Sequence, residues 1–258
     1  MRPLWAVYKR EVSQFFRSNI AYAVAFGVML FLGILFSSNV YGGVQSNLSG
    51  FSMQPVTADQ IALSTLGVLT FLMFIIAPLL TMRLIAEENR EGTLEVLMTL
   101  PMSDWAFVAG KYLAAWTFYT VLLLLTLAYV LILGTIGVPD AGLTAVAYLG
   151  AWLYGGVTLA VAMVWSAVTE DQIVAAFLGA ATVLILFLAS SLAQLLSTRA
   201  ELGGLSEFIR TLSLTSHYQD TMLLGVLRAE DIAYFVLVII FALFVTTLIV
   251  GSRRWRAS

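Results

Sequence analysis

Side chains capable of chemistry crowd into one stretch, residues 87–101, which holds Glu87, Glu88, Arg90, Glu91, Gly92, Thr93, Glu95, Leu97 and Pro101 between two long apolar runs. On one unbroken helix Glu87, Glu91 and Glu95 would share a stripe, being four residues apart. Gly92 interrupts it. Glycine there suits a left-handed C-terminal cap, and Thr93 suits a fresh N-cap with Glu95 in the favourable first turn. The spacing predicts a short helix over 94–99. Pro101 then disfavours helix at Leu100, and Ser103 or Asp104 can cap the next helix. Carboxylates so arranged offer ionic contacts to another surface. Leu94, Val96, Leu97, Met98 and Leu100 exceed what a solvated loop needs, so the membrane, the protein's own helices or a partner must cover part of them.

Other chemistry has thinner support. Gly110-Lys111 is the nearest approach to a phosphate-binding loop, but Tyr112 follows it, the earlier glycine is missing, and a helix start commits its amides. No ATP site is expected in this chain. Lys111 lies about a turn and a half inside an apolar run beside Trp105, Tyr112 and Trp116, where snorkelling to headgroups is the expected behaviour. His217 is the single histidine and there is no cysteine, which removes thiolate sites and disulfides. The methionines are spread without ligand spacing and read as packing, so no metal site is expected. An embedded enzyme would need His, Asp, Glu or Cys clustered at one membrane depth, and the sequence offers no such cluster.

The elements that must position these residues follow from composition. Of the 258 residues, 60% are apolar and 11% charged, and the mean hydropathy of +0.94 lies far outside the range of a water-soluble domain. A net charge of -2 in scattered clusters gives no basic face, so nucleic acid is excluded as a partner. Apolar runs long enough to cross about 30 Å of hydrocarbon occur at 20–38, 61–82, 105–133, 145–168, 173–196 and 232–250. Their continuity argues for helices, because barrel strands would alternate. The fold class expected is an all-α polytopic membrane protein with six transmembrane helices in one domain over 1–258. Arg2, Lys9, Arg10, Arg17, Arg83, Arg90, Lys111, Arg253, Arg254 and Arg256 would share one side, against Arg199, Arg210 and Arg228 on the other. That bias places both termini in the cytoplasm. The first run is too long for a removable signal peptide and is expected to remain.

Two amphipathic segments complete the layout. Within residues 1–18, Leu4, Tyr8, Val12 and Phe15 fall at helical spacing opposite Lys9, Arg10, Ser13, Gln14 and Arg17, predicting an interfacial helix held by anionic headgroups or by a cytoplasmic partner. The stretch 197–231 is long for a connection and too apolar for disorder. Leu205, Phe208, Ile209 and Leu212 make one stripe there, and Ser216 with Gln219 suggests a capping box opening a second short helix with Tyr218, Met222 and Val226. These pieces either dip into the outer leaflet as a gate or lie flat on it. Phe208, Leu212, His217, Tyr218 and Gly225 are the gate candidates. The pairs Gly156/Ala160, Ala106/Gly110 and Ala175/Gly179 permit close helix contact, within the chain or across a dimer.

In this order, the acidic pair, Gly92-Thr93, Glu95, an apolar turn and Pro101 resemble the cytoplasmic segment of ABC-2 type transporter permeases. The turn at 166–173, with Glu170 and Asp171, resembles that family's short inner turn, and His217-Tyr218, Gly225 and Glu230-Asp231 resemble its outer segment. The group it is most similar to is the small permeases of gliding-motility and nitrous-oxide-reductase maturation systems. The resemblance implies a type V exporter-like half with an elbow helix at 1–18, a coupling segment at 87–101 and re-entrant outer helices at 197–231. It implies that 87–101 docks on a separate ATPase, with Glu170 and Asp171 in a second contact. Two ATPase copies and a second or sister permease would complete the unit in the cytoplasmic (inner) membrane, with a possible extracytoplasmic partner. ATP and Mg would be used by the ATPase and no cofactor bound by this chain. The rival class is a stand-alone carrier driven by an ion gradient, disfavoured because no acidic residue lies at mid-membrane.

Overall fold

A backbone in hydrocarbon has to satisfy its own hydrogen bonds, and in this chain it does so as helix. The structure is a computed structural model and describes residues 3–49, 55–93, 102–198 and 202–254, among which there is no strand. Helix α1 is Pro3–Phe15, α2 Asn19–Ser49, α3 Ala58–Thr81, α4 Ala86–Arg90, α5 Asp104–Ile136, α6 Ala141–Val168 and α7 Gln172–Ser197. Then follow α8 (Gly203–Leu212), α9 (Leu214–Tyr218), a 3-10 turn (Met222–Leu224) and α10 (Ala229–Arg254). Six of the helices are long and apolar enough to cross a membrane, and the protein is a multi-pass membrane protein.

Helix starts are set by side chains that satisfy the first free amides. Thr57 and Gln60 form a reciprocal capping box on α3, Ser103 accepts from Ala106 N (3.3 Å) on α5, and Asp140 accepts from Gly142 N (2.7 Å) on α6. One end differs from the apolar run. The first span was expected to stop at Ser38, yet α2 continues to Ser49. Asn39, Gly42, Gly43 and Asn47 lower the hydropathy without breaking the helix, and no proline occurs between Pro3 and Pro55.

Helix α6 is the central post, with 72% of its most apolar stretch buried inside the fold against 22% for α2 and α7. Small residues make this possible. The Tyr119 ring of α5 lies over Gly155, its hydroxyl donating to the Ala151 carbonyl (2.8 Å), and Tyr112 donates to the Gly156 carbonyl (3.1 Å). Trp116 stacks on Trp152 with centroids 4.3 Å apart. Both of the other small-residue positions serve the same purpose, Gly110 meeting Val7 of α1 and Gly179 meeting Ala162 of α6. All three close approaches are therefore within the chain.

Candidate functional site

At the end of the bundle where α3 stops, the chain must turn sharply, and the turn strands amide groups with no helical partner. Ser166, near the end of α6 and fully buried, takes them. Its hydroxyl accepts from Ile85 N and Ala86 N (3.1 Å each) and donates to the Met82 carbonyl (2.9 Å). One side chain thus ties the corner between α3 and α4 to the central helix. Replacing it, Ser166→Ala, leaves two buried donors unmet and costs about 2 kcal/mol, read as an earlier midpoint of thermal unfolding in mild detergent. An unchanged midpoint contradicts this account of the corner.

Beyond the corner, α4 carries Glu87, Glu88 and Arg90 and ends where Gly92 takes φ +70, a conformation glycine adopts without penalty. Thr93 folds back, its hydroxyl donating to the Glu88 carbonyl (3.2 Å) and closing α4. The helix expected over 94–99, together with Glu95, Leu97 and Pro101, lies outside the described residues.

Glu88 and Lys111 depart most from the sequence reading. Lys111 does not snorkel. It is 2% exposed, and its Nζ lies 2.9 Å from Glu88 Oε1 and 3.0 Å from Glu11 Oε1. Arg10 completes the group, 2.6 Å from Glu88 Oε1 and 2.7 Å from Glu11 Oε1. Partial burial works against the Arg10 charge, yet hydrogen bonding and attraction from Glu11 and Glu88 outweigh it and hold the guanidinium above its ordinary value. The expected interfacial helix at the N-terminus is accordingly docked along α5, through Val7 at Gly110, Tyr8 on Thr117 (3.0 Å) and Phe15 stacked on Phe118. A cleft of about 640 Å³ opens beside the quartet, lined by Arg17, Arg83, Glu87 and Glu91 among others.

The turn between α6 and α7 reaches the same end, and α4 packs against both of those helices. Asp171 is committed there to capping α7, accepting from Ile173 N (2.7 Å) and Val174 N (3.2 Å), while Glu170 is exposed. Glu87, Glu88, Arg90, Glu91, Gly92, Thr93, Glu170 and Asp171 thus gather at one end. Sequence reading missed Glu11 and Ser166, and gave Lys111 the wrong partner.

At the opposite end the gate candidates separate. Phe208 and Leu212 of α8 are 60% and 45% exposed, facing away from the bundle, whereas Tyr218 is fully buried against Gly150 with its hydroxyl toward the Ala147 carbonyl (3.4 Å). Burial, with neighbouring tyrosines, pushes the Tyr218 phenol well above its ordinary value, so it acts as a neutral donor. His217 stacks on Tyr234 and is held between Asp231 Oδ1 (2.8 Å) and the Thr211 carbonyl (3.1 Å). Gly225 has φ +82 and packs on Leu143. The expected cap at Ser216 is displaced: Ser213 caps α9 by accepting from Thr215 N (3.2 Å), and the Ser216 hydroxyl donates to the Arg210 carbonyl (2.7 Å). Burial of Leu214 and Tyr218 sets where the turn begins, and the pairing of Ser216 with Gln219 does not.

Comparison with known proteins adds what geometry alone cannot supply. The family described as ABC-2 type transporter matches residues 2–227. A probable ABC transporter permease protein, NosY, of Stutzerimonas stutzeri is 30% identical over 112 residues, 43% of this chain. That match spans 38% of the relative's own length. Six spanning helices and a family match over most of the chain agree: this multi-pass membrane protein belongs to the ABC-2 type transporter family.

Proposed function

We propose that this permease couples ATP hydrolysis by its partner to export, or to mechanical work, across the cytoplasmic membrane. Residues 87–101 dock the ATPase, with the turn at Glu170 and Asp171 as a second contact, and α1 acts as the elbow helix. The observation that carries this reading is the anchoring of α4. It is pinned to α6 through Ser166 and to α1 and α5 through Glu88, so a displacement applied to α4 is delivered to three helices at once. The excess of lysine and arginine at this end supports a cytoplasmic position. A working unit holds two ATPases and two permease halves, identical or sister chains, and ATP and Mg are handled by the ATPase alone.

Within this reading the glutamates divide their labour. Glu88 is spent internally, whereas the side chains of Glu87 and Glu91 make no ion pair among the described residues and face the cleft. The double variant Glu87→Lys/Glu91→Lys is expected to cut ATPase recovered in a pull-down about tenfold while leaving membrane insertion unchanged. Undiminished recovery overturns the docking surface. Transport by the purified chain on an ion gradient, with no ATPase present, overturns the coupling reading altogether.

A further inference from the structure

A second cavity, about 330 Å³, opens at the opposite end between α7 and α8. In a chain this apolar its lining is unusual: Ser190, Ser191, Gln194 and Ser197 come from α7, Arg210 from α8, and Asp220 from the turn after α9. The walls are fixed by the protein. Ser206 donates to the Ala193 carbonyl (2.9 Å), seating α8 on α7, and Thr215 donates to the Phe187 carbonyl (2.6 Å), seating α9 on the same helix. Most of the other polar groups that face the cavity are left over. Among the described residues no hydrogen bond or ion pair uses the side chains of Ser190, Ser191, Gln194, Arg210 or Asp220.

The surroundings are apolar. On α7, Leu188, Leu192 and Leu195 are exposed on the outer surface, and α8 presents Leu205, Phe208 and Leu212 outward. A polar pocket at the end of a spanning helix, in a bundle whose outer surface is apolar, suits an amphiphile whose head enters while its chains lie against that surface. Charge narrows the head. Arg210 supplies a guanidinium suited to a phosphate, and Asp220 a carboxylate suited to an ammonium with N–H donors. A purely anionic head would face Asp220 with nothing to offer it. A quaternary ammonium has no N–H to donate and is held by aromatic faces, and no aromatic residue lines this cavity among the described residues.

We propose that this pocket binds a phosphoethanolamine group, as the headgroup of a phospholipid in the leaflet at that end or as the free zwitterion. The serine hydroxyls and Gln194 supply neutral hydrogen bonds between the charged poles. Cavity size agrees, since about 330 Å³ is near the lower limit of ligand pockets and suits a headgroup better than a whole lipid or a peptide.

Native mass spectrometry of the full chain, delipidated in detergent and offered phosphatidylethanolamine, phosphatidylcholine or phosphatidylglycerol of identical chains, tests this. Phosphatidylethanolamine is expected to be retained about fivefold more than either of the others, a difference of the size one charge-assisted contact supplies. Arg210→Gln lowers retention, and Asp220→Asn abolishes the preference over phosphatidylglycerol. Both side chains are exposed, so neither change threatens folding, and unchanged size-exclusion profiles verify that. Equal retention of the three lipids, or a preference that survives both substitutions, overturns the proposal. Displacement by soluble O-phosphoethanolamine assigns the free zwitterion as a ligand. Phospholipid binding that it fails to displace assigns the lipid, and either result supports the headgroup chemistry.

Discussion

Lys111→Met is expected to destabilise the fold by about 3–5 kcal/mol, the range for removing one partner from a buried, hydrogen-bonded ion pair. The wild-type quartet of Arg10, Lys111, Glu11 and Glu88 carries two formal charges of each sign, and each of its four ion pairs closes to 3.0 Å or less. Methionine fills the volume but leaves two carboxylates with one cation, and Arg10 is too exposed, at 42% of its side chain, to replace a fully buried ammonium. The double variant Glu11→Gln/Lys111→Met removes the surplus charge together with its partner and is expected to recover most of the loss, because the penalty comes from the unpaired group. Glu88→Gln should cost less than Lys111→Met, since Glu88 is less deeply buried. Thermal unfolding in mild detergent, with proteolysis of α1 as a local probe, checks the series. An unchanged midpoint for Lys111→Met would show that the quartet contributes nothing.

That quartet also marks where sequence reading stops. A lysine near the end of an apolar run has two solutions, to reach the headgroups or to find an internal anion, and hydropathy cannot choose between them. The information lay in another helix. Glu11 falls in register with Leu4, Tyr8 and Phe15, so it occupies the apolar stripe of α1 rather than its charged face, and an acid in such a stripe asks for a cation opposite. The spanning helices were legible because each is a long continuous apolar run. The cap at Ser103 was equally local. Ser166 was not, because a serine in an apolar helix ordinarily bonds its own preceding turn, and only the arrival of the α3–α4 corner gives it different partners. In the outer segment the stripe of Leu205, Phe208 and Leu212 was correctly placed on one helix, but in a bilayer an apolar face has no obligation to turn inward. It faces out, and the small polar Ser206 makes the contact with α7.

The second large effect is expected at Gly155, where the smallest possible side chain is already too large. A Cβ built there would lie 2.0 Å from Tyr119 Cε1 and 2.3 Å from Cζ, well inside any real contact. Tyr119 is fully buried and its hydroxyl is bonded to the Ala151 carbonyl one turn away, so the ring cannot yield without giving up that bond. Gly155→Ala must therefore separate α5 from α6 or orphan a phenol in the core. Overpacking costs about 1–3 kcal/mol and a buried unpaired hydroxyl about as much again, so a loss of about 3 kcal/mol or more is expected. Gly134→Ala, at a position on the same α5 with nothing within 4 Å, is the matched control and should be neutral or slightly stabilising through helix propensity. A double-mutant cycle with Tyr119→Ala isolates the clash: the pair should lose less than the sum of the single changes. Additivity would place the damage elsewhere. If the coupling is as large as the geometry requires, α5 and α6 behave as one rigid block. Under the proposed mechanism, α1 and α4, the latter through Ser166, then push on that block, and a variant that loosens it should keep its ATPase bound while transport per ATP falls.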